Sequence, residues 1–400
     1  MNQEEEGLNI LAPEPRRTAL ERALTRRQAL TVGFGGAAAL YLAACGGTSG
    51  TSGGGGGAST KAAAKEASAL AGKPIEGQLL MSNWVDYVDP KDLKSFRKAL
   101  GPKVTLEGYG SNDELIAKLS AGGSNYDVIV PSGSYVPECI QKGLLMPLDH
   151  SLIPNLKNLQ PTFTKTKYDP GNKYSVCKDY GITSFYYRKD VVKDPPTTLK
   201  GWFDILPKYK GKNINFIEGG SEIWGVLMLA AGHSESSDKE SDYQDAYAIA
   251  KSVKPAIKTI NSTYIERLGR GQIDIGLGWN GDVLRAAIEA KKHGIEIGYT
   301  VPEGAGEYWT DNWTIAAGSK NPVAAHKWID YALRPDIAAK EWNYVGYTVP
   351  VIGAEANVDP AISKSPMIDI PQSTLSGYDT AIVTPQINDL IAKYYTKFKA

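Results

Sequence analysis

The chain has 400 residues, with 44 Lys and Arg against 44 Asp and Glu, so its formal net charge is zero. That balance excludes a nucleic-acid binder working through a basic face. It also means that any hold on a membrane needs an anchor rather than a charged patch.

Residues 25–45 read TRRQALTVGFGGAAALYLAAC. Arg26 and Arg27 precede an uncharged run of apolar and small residues that ends in Leu42-Ala43-Ala44-Cys45. The run is too short and too rich in glycine for a comfortable membrane span. Paired arginines, a modest apolar stretch and a small-residue exit are the pattern of a bacterial export signal. The flank resembles the twin-arginine motif, and Leu-Ala-Ala-Cys resembles the lipobox of bacterial lipoproteins, which implies a diacylglyceryl group on Cys45. The expectation is an export signal over 1–45 and a mature protein outside the cytoplasm, tied to a membrane through Cys45. Gly33-Phe34-Gly35-Gly36 lies inside this signal and is no phosphate loop. Residues 46–75 are mostly Gly, Ser, Thr, Ala and Lys, with five glycines at 53–57 and no apolar period. They read as a flexible tether, with a short helix possible over 60–72.

About 325 residues follow, enough for two lobes with real cores. A strand is expected over 78–84. Asp89 then caps a helix with Pro90 in its first turn and Leu93, Phe96 and Leu100 on one face. A strand over 104–107 precedes a capping-box pattern, Ser111 to Glu114, opening a helix with Leu115, Ile116 and Leu119 and closing at Gly122-Gly123. A short apolar strand over 126–130 is halted by Pro131. A second series starts near Gly181, with strands over 214–217 and 273–278 and helices over 221–231 and 242–253. A last helix, opened by Asn321-Pro322 with Ala325, Trp328, Ile329 and Leu333 on one face, stops at Pro335. Strands alternating with helices predict an α/β fold with a largely parallel sheet.

Ligands of open α/β sheets bind beyond the carboxyl ends of the strands. After the first strand come Trp84, Val85, Asp86 and Tyr87; after the 126–130 strand, Pro131-Ser132-Gly133-Ser134-Tyr135. After Ile217 come Glu218, Gly219, Gly220, Ser221 and Glu222; after Gly278, Trp279-Asn280-Gly281-Asp282; and later Tyr308-Trp309-Thr310-Asp311. Aromatic rings and carboxylates recur together there, and Lys and Arg are nearly absent. An alkyl ammonium needs a carboxylate for its charge and ring faces for its head and methylenes, at about 0.5–2 kcal/mol per cation–π contact. A diamine fits an acid at each end of an aromatic box. Taken singly, a Trp near a strand end is more often packing and an Asp more often a helix cap. Eight Trp and 22 Tyr exceed what an ordinary core needs.

At these residues the chain resembles the extracytoplasmic spermidine/putrescine-binding proteins of bacterial ABC transporters. The shared motifs, in order over about 78–400, are NW-x-x-Y-V (83–88), YD-x-x-VPS-x-x-YV (126–136), GWNGD (278–282), YWTD (308–311) and GYTVP (346–350). The resemblance implies a two-lobed periplasmic-binding-protein fold of type II, with two crossovers and a cleft between lobes. One lobe would be 76–181 plus 312–355 and the other 182–311 plus 356–400, hinged near Tyr180-Gly181 and Asp311-Asn312. It implies an aromatic wall of Trp84 and Tyr87 with Asp86 at the edge, and Ser132 bonded to an amine. Tyr135 also joins the ligand set. Glu222 would bind an amino group in the second lobe, Trp279 would stack on the methylenes, Asp311 would anchor the ammonium beside Trp309, and Tyr347 would close one side. Asp282, three residues after Trp279, follows the putrescine-selective pattern. Ser134, Val85 and Gly219 depart from the spermidine-binding pattern, and Lys178-Asp179-Tyr180-Gly181 departs from the usual uncharged approach to the crossover.

The expected function is a polyamine receptor, not an enzyme, that closes on putrescine or spermidine and delivers it as a monomer to an ABC permease. No cofactor, metal or nucleic acid is expected. His150, His233, His293 and His326 lack metal-ligand spacing, and no Gly-x-Ser-x-Gly elbow occurs. The competing readings are the same fold with another small cationic solute, and a surface glycoside hydrolase using paired acids among aromatics. Cys139 and Cys177 either pair outside the cell or remain two buried thiols.

Overall fold

The computed structural model describes residues 70–122, 125–378 and 380–400. The export signal, Cys45, the tether as far as residue 69, and Gly123 lie outside the described residues.

Ten strands form one sheet: β1 (Gln78–Trp84), β2 (Lys103–Tyr109), β3 (Val128–Ile129), β4 (Leu145–Met146), β5 (Ser175–Arg188), β6 (Ile214–Phe216), β7 (Thr259–Ile260), β8 (Ile275–Trp279), β9 (Ile297–Tyr299) and β10 (Glu307–Ala316). Their order is β2-β1-β3-β10-β5-β8-β6-β7, with β4 on β10 and β9 on β5. The flanks are parallel, β2-β1-β3 on one side and β8-β6-β7 on the other. The middle is not. β5 and β10 pair antiparallel with each other and with β3, β4, β8 and β9. The sheet is therefore mixed rather than largely parallel. The physical reason is that β5 and β10 run through the join between the flanks instead of returning by a helical crossover. Charged and hydroxyl residues interrupt their apolar pattern, so neither stands out as a strand in the sequence.

Local expectations fare better. Asp89 accepts from Lys91 N at 2.8 Å and Pro90 begins helix α1 (Pro90–Leu100); Phe96 of its apolar face is buried, while Leu100 is exposed. Ser111 Oγ accepts from Glu114 N at 3.1 Å to start α2 (Asn112–Ser120). The return arm of this box reaches one residue further back, Glu114 Oε2 accepting from Gly110 N at 2.9 Å. Asp127, in the 126–130 motif, is a buried hub rather than a strand residue. Its carboxylate accepts from Leu80 N, Ser319 Oγ, Lys320 N, and both Asn321 N and Nδ2, at 2.7–3.1 Å. That cluster spends on turns the ladder positions expected around 126–127, and β3 shrinks to two residues.

The remaining principal helices are α3 (Gly220–Ala230), α4 (Glu240–Val253), α5 (Asn280–Lys292), α6 (Pro322–Ala332), α7 (Pro335–Val345) and α8 (Pro385–Lys399). Two large apolar clusters underlie the flanks: one around Phe96, Trp313, Trp328 and Tyr331, the other around Phe185, Trp202, Phe203 and Phe216. Cys139 and Cys177 are free, buried thiols.

Candidate functional site

A cavity of about 660 Å³ opens at the strand ends, and all eleven residues singled out in the sequence line it. They arrive from both flanks of the sheet. β1 ends at Trp84, whose indole N–H donates to Val130 O at 3.0 Å and whose ring lies 4.8 Å from Tyr109. The next turn puts Asp86 in the left-handed region, φ 58°, at the rim, where its carboxylate is held by Arg285 at 3.0 Å and by the Tyr344 hydroxyl. Tyr87 points inward and donates to Asp179 Oδ1 at 2.7 Å.

Ser132 follows β3 and donates to Asp311 Oδ1 at 2.8 Å. Tyr135 is buried on the short turn after it. From the other flank, Glu222 stands in the first turn of α3 and accepts from Ser221 Oγ at 2.8 Å. Gly219 precedes it at φ 143°, and a Cβ there would lie 2.3 Å from Glu222 Oε2, so glycine at 219 leaves the carboxylate room to fold back. Trp279 ends β8, and Asp282 enters α5, where it accepts from Tyr347 OH at 2.8 Å. The Tyr347 ring stands edge-on to Trp309 at 5.0 Å and to Tyr87 at 5.7 Å. Trp84, Trp279 and Trp309 are the half-buried tryptophans; the other five are buried, so the Trp excess serves the core as well as the cavity.

Burial dominates the electrostatics. It pushes Asp311 up to about 7, with Asp179 on the neighbouring strand adding repulsion, against the help of Ser132, Lys178 and Tyr87. Burial also pushes Asp282 up to about 6, although the Tyr347 hydroxyl pulls it back, and raises Glu222. Among the lining residues nine carboxylates face two arginines, Arg267 and Arg285. Both lie outside the strand-end motifs, and Arg285 is engaged by Asp86. The field in the cavity therefore favours a cation.

Asp179 does not line the cavity. It sits behind Tyr87, 2.5 Å from Lys178 Nζ, and Lys178 in turn is 2.9 Å from Glu341 and 3.8 Å from the Tyr87 ring centroid. Tyr109, Asn112, Glu235, Glu307 and Arg285 also line the cavity and are missed by the sequence reading. Tyr109 and Asn112 follow the same strand-end logic, applied to β2. Glu307 has no such signal, because β10 itself is not recognised.

The fold and the cavity define a solute-binding receptor of the α/β periplasmic type. Residues 93–368 match the model of the family described as bacterial extracellular solute-binding protein, and the chain belongs to that family. It is 30% identical to the putrescine-binding periplasmic protein PotF of Escherichia coli over 338 residues, covering 80% of this chain and 90% of that one. It is 31% identical to a putrescine/cadaverine-binding protein of Pseudomonas aeruginosa over 293 residues, covering 71% and 82%. Among solved structures, the spermidine/putrescine ABC transporter substrate-binding protein PotD of Streptococcus pneumoniae, in complex with calcium and HEPES, superposes with a TM-score of 0.68. That match has 26% identity and covers 81% of this chain and 99% of that one. Family and relatives are extracellular or periplasmic. Among the described residues no helix is long and apolar enough to cross a membrane.

Proposed function

We propose that this protein is the extracytoplasmic receptor of a polyamine ABC transporter. It binds putrescine or spermidine in the cavity and hands it to the permease. The observation that carries the reading is the arrangement of the lining: the buried acid Asp311 on β10 and the half-buried acids Glu222 and Asp282 from the β6–β8 flank, with Trp84, Trp279, Trp309 and Tyr347 among them. Rings take the methylenes and the faces of the ammonium heads, and acids take the charges.

The lobes are 76–181 plus 312–355 and 182–311 plus 356–400. The hinge lies where β5 and β10 carry the chain between them. Its support is that Asp311 opposes Asp179 and Trp309 opposes Gly181 on adjacent strands, with a register shift between Asp311 and Asn312. Closure excludes water and strengthens each acid–ammonium contact. The protein is a monomer without catalytic activity, exported by its twin-arginine signal and held at the membrane by lipid on Cys45.

Thermal unfolding tests the reading. A ligand that binds only the native state stabilises it by about 2.7 kcal/mol at a hundredfold excess over Kd. Putrescine and spermidine raise Tm; glutamate and maltose do not. No shift with any polyamine at millimolar concentration defeats the proposal, as does turnover of a glycoside by the same cavity.

A further inference from the structure

The polyamine reading gives tasks to Asp311, Asp282 and Glu222 but none to Glu307. From Glu307 to Asp311 strand β10 pairs without interruption on β5, Glu307 opposite Thr183 and Asp311 opposite Asp179. Side chains two apart on a strand face the same way, so Glu307, Trp309 and Asp311 share one face, and all three line the cavity. Glu307 is only 7% exposed, and its Oε2 has no hydrogen-bond partner. Glu235, also buried, reaches the same spot from beyond α3. A Cβ at Gly225 would lie 2.6 Å from Glu235 Oε2 and 3.3 Å from Glu307 Cγ, so the missing side chain at 225 leaves room for two carboxylates to converge.

A buried carboxylate with an unsatisfied oxygen is costly unless a cation or a proton arrives. Burial, with Glu222 and Asp311 near it, pushes Glu307 up to about 8 against the pull of hydrogen bonds from Thr183, so an arriving ammonium meets an acid that gains from its charge. The strand also serves as a ruler. Four residues advance the backbone by about 13 Å. An extended chain advances about 1.2 Å per bond, so a four-carbon diamine separates its charges by about 6 Å and a spermidine-like triamine separates its terminal charges by about 11 Å.

Resting on the polyamine reading, we infer that Glu307, with Glu235 beside it across Gly225, forms an additional ammonium subsite. A linear triamine then spans from Asp311 to Glu307 across Trp309, and a four-carbon diamine cannot. The test is calorimetric titration of the whole chain and of Glu307→Gln with putrescine, spermidine and 1,8-diaminooctane, the last carrying two charges at the triamine's span. Glu307→Gln lowers affinity for spermidine and diaminooctane tenfold or more and for putrescine less than threefold. Glu235→Gln acts on the same two ligands from the other side of Gly225, and it decides the matter if Glu307→Gln fails to fold. Equal losses for all three ligands, or none for the long ones, overturn the subsite while leaving the polyamine reading standing. A wild-type protein that binds no polyamine overturns both.

Discussion

Ser132 and Asp311 stand 179 positions apart in the chain and 2.8 Å apart in space, the serine hydroxyl donating to Asp311 Oδ1. The serine is itself held from behind. Asn112 Nδ2 donates to its hydroxyl at 3.1 Å, and Asn112 Oδ1 accepts from its backbone N–H at 3.0 Å. The arrangement orients one oxygen of a buried acid and leaves the carboxylate facing the cavity. Truncating a buried charge partner costs about 2–5 kcal/mol of binding, and losing one neutral hydrogen bond costs about 1 kcal/mol. Asp311→Asn therefore weakens polyamine binding far more than Ser132→Ala, as read by titration calorimetry. Equal, small losses would place the ammonium elsewhere.

Acidity gives a second prediction, with opposite signs for stability and for binding. Asp311 and Asp282 are raised to about 7 and about 6 by burial. A carboxyl whose folded pKa is raised contributes stability below its ordinary range, near 3.9, and that stability is lost as pH rises through the folded value. The empty protein loses Tm between pH 5 and 8, and Asp311→Asn, which cannot ionise, loses less and is the more stable of the two at pH 8. Binding runs the other way. An alkyl ammonium stays charged up to about pH 10 and needs the acids ionised, so affinity rises from pH 5 to 8 and protons leave the protein. Titration in buffers of different ionisation enthalpy counts those protons; proton uptake would contradict the assignment.

Lys178 is fully buried between Asp179 at 2.5 Å and Glu341 at 2.9 Å. Removing one partner of such a group leaves the others uncompensated, at about 3–5 kcal/mol. Lys178→Met should lower unfolding stability by that amount in chemical denaturation. It should also weaken ligand binding, because Tyr87 is held by Asp179 and lies under the lysine. Unchanged stability would show that the three charges do not act together.

Trp84, Trp279 and Trp309 line the cavity, so intrinsic fluorescence reports on occupancy. Trp279→Leu is expected to weaken polyamine binding by about 1–2 kcal/mol, the scale of one or two ligand methylenes losing their cover at about 0.8 kcal/mol each, and to reduce the fluorescence change on saturation. A mutant with full affinity would remove Trp279 from the stacking role.

Attachment through Cys45 has a simple test. If lipid on Cys45 holds the protein, Cys45→Ser in the producing bacterium moves it from the membrane fraction to the soluble extracytoplasmic fraction, since the chain has no net charge to hold it there otherwise. A serine variant that stays with the membrane would point to another anchor.

The primary structure alone determined what depends on neighbours in the chain. Asp89-Pro90 and Ser111 to Glu114 specify helix starts because a cap is a contact across two or three residues. Strand-end reasoning reached Trp84, Ser132 and Trp279 because sheet geometry carries whatever ends or follows a strand to one edge; Asp311, expected at such an end, lies instead inside β10. The tertiary structure alone decided the rest. β5 and β10 draw their stability from each other, not from a local apolar period, so their antiparallel pairing, and with it Glu307, is invisible in the sequence. Arg285 meets Asp86 across 199 positions, and Asp179 turns away from the cavity toward Lys178. Such partnerships are set by the path of the folded chain, because charge and hydrogen bonding act through space and not along the backbone.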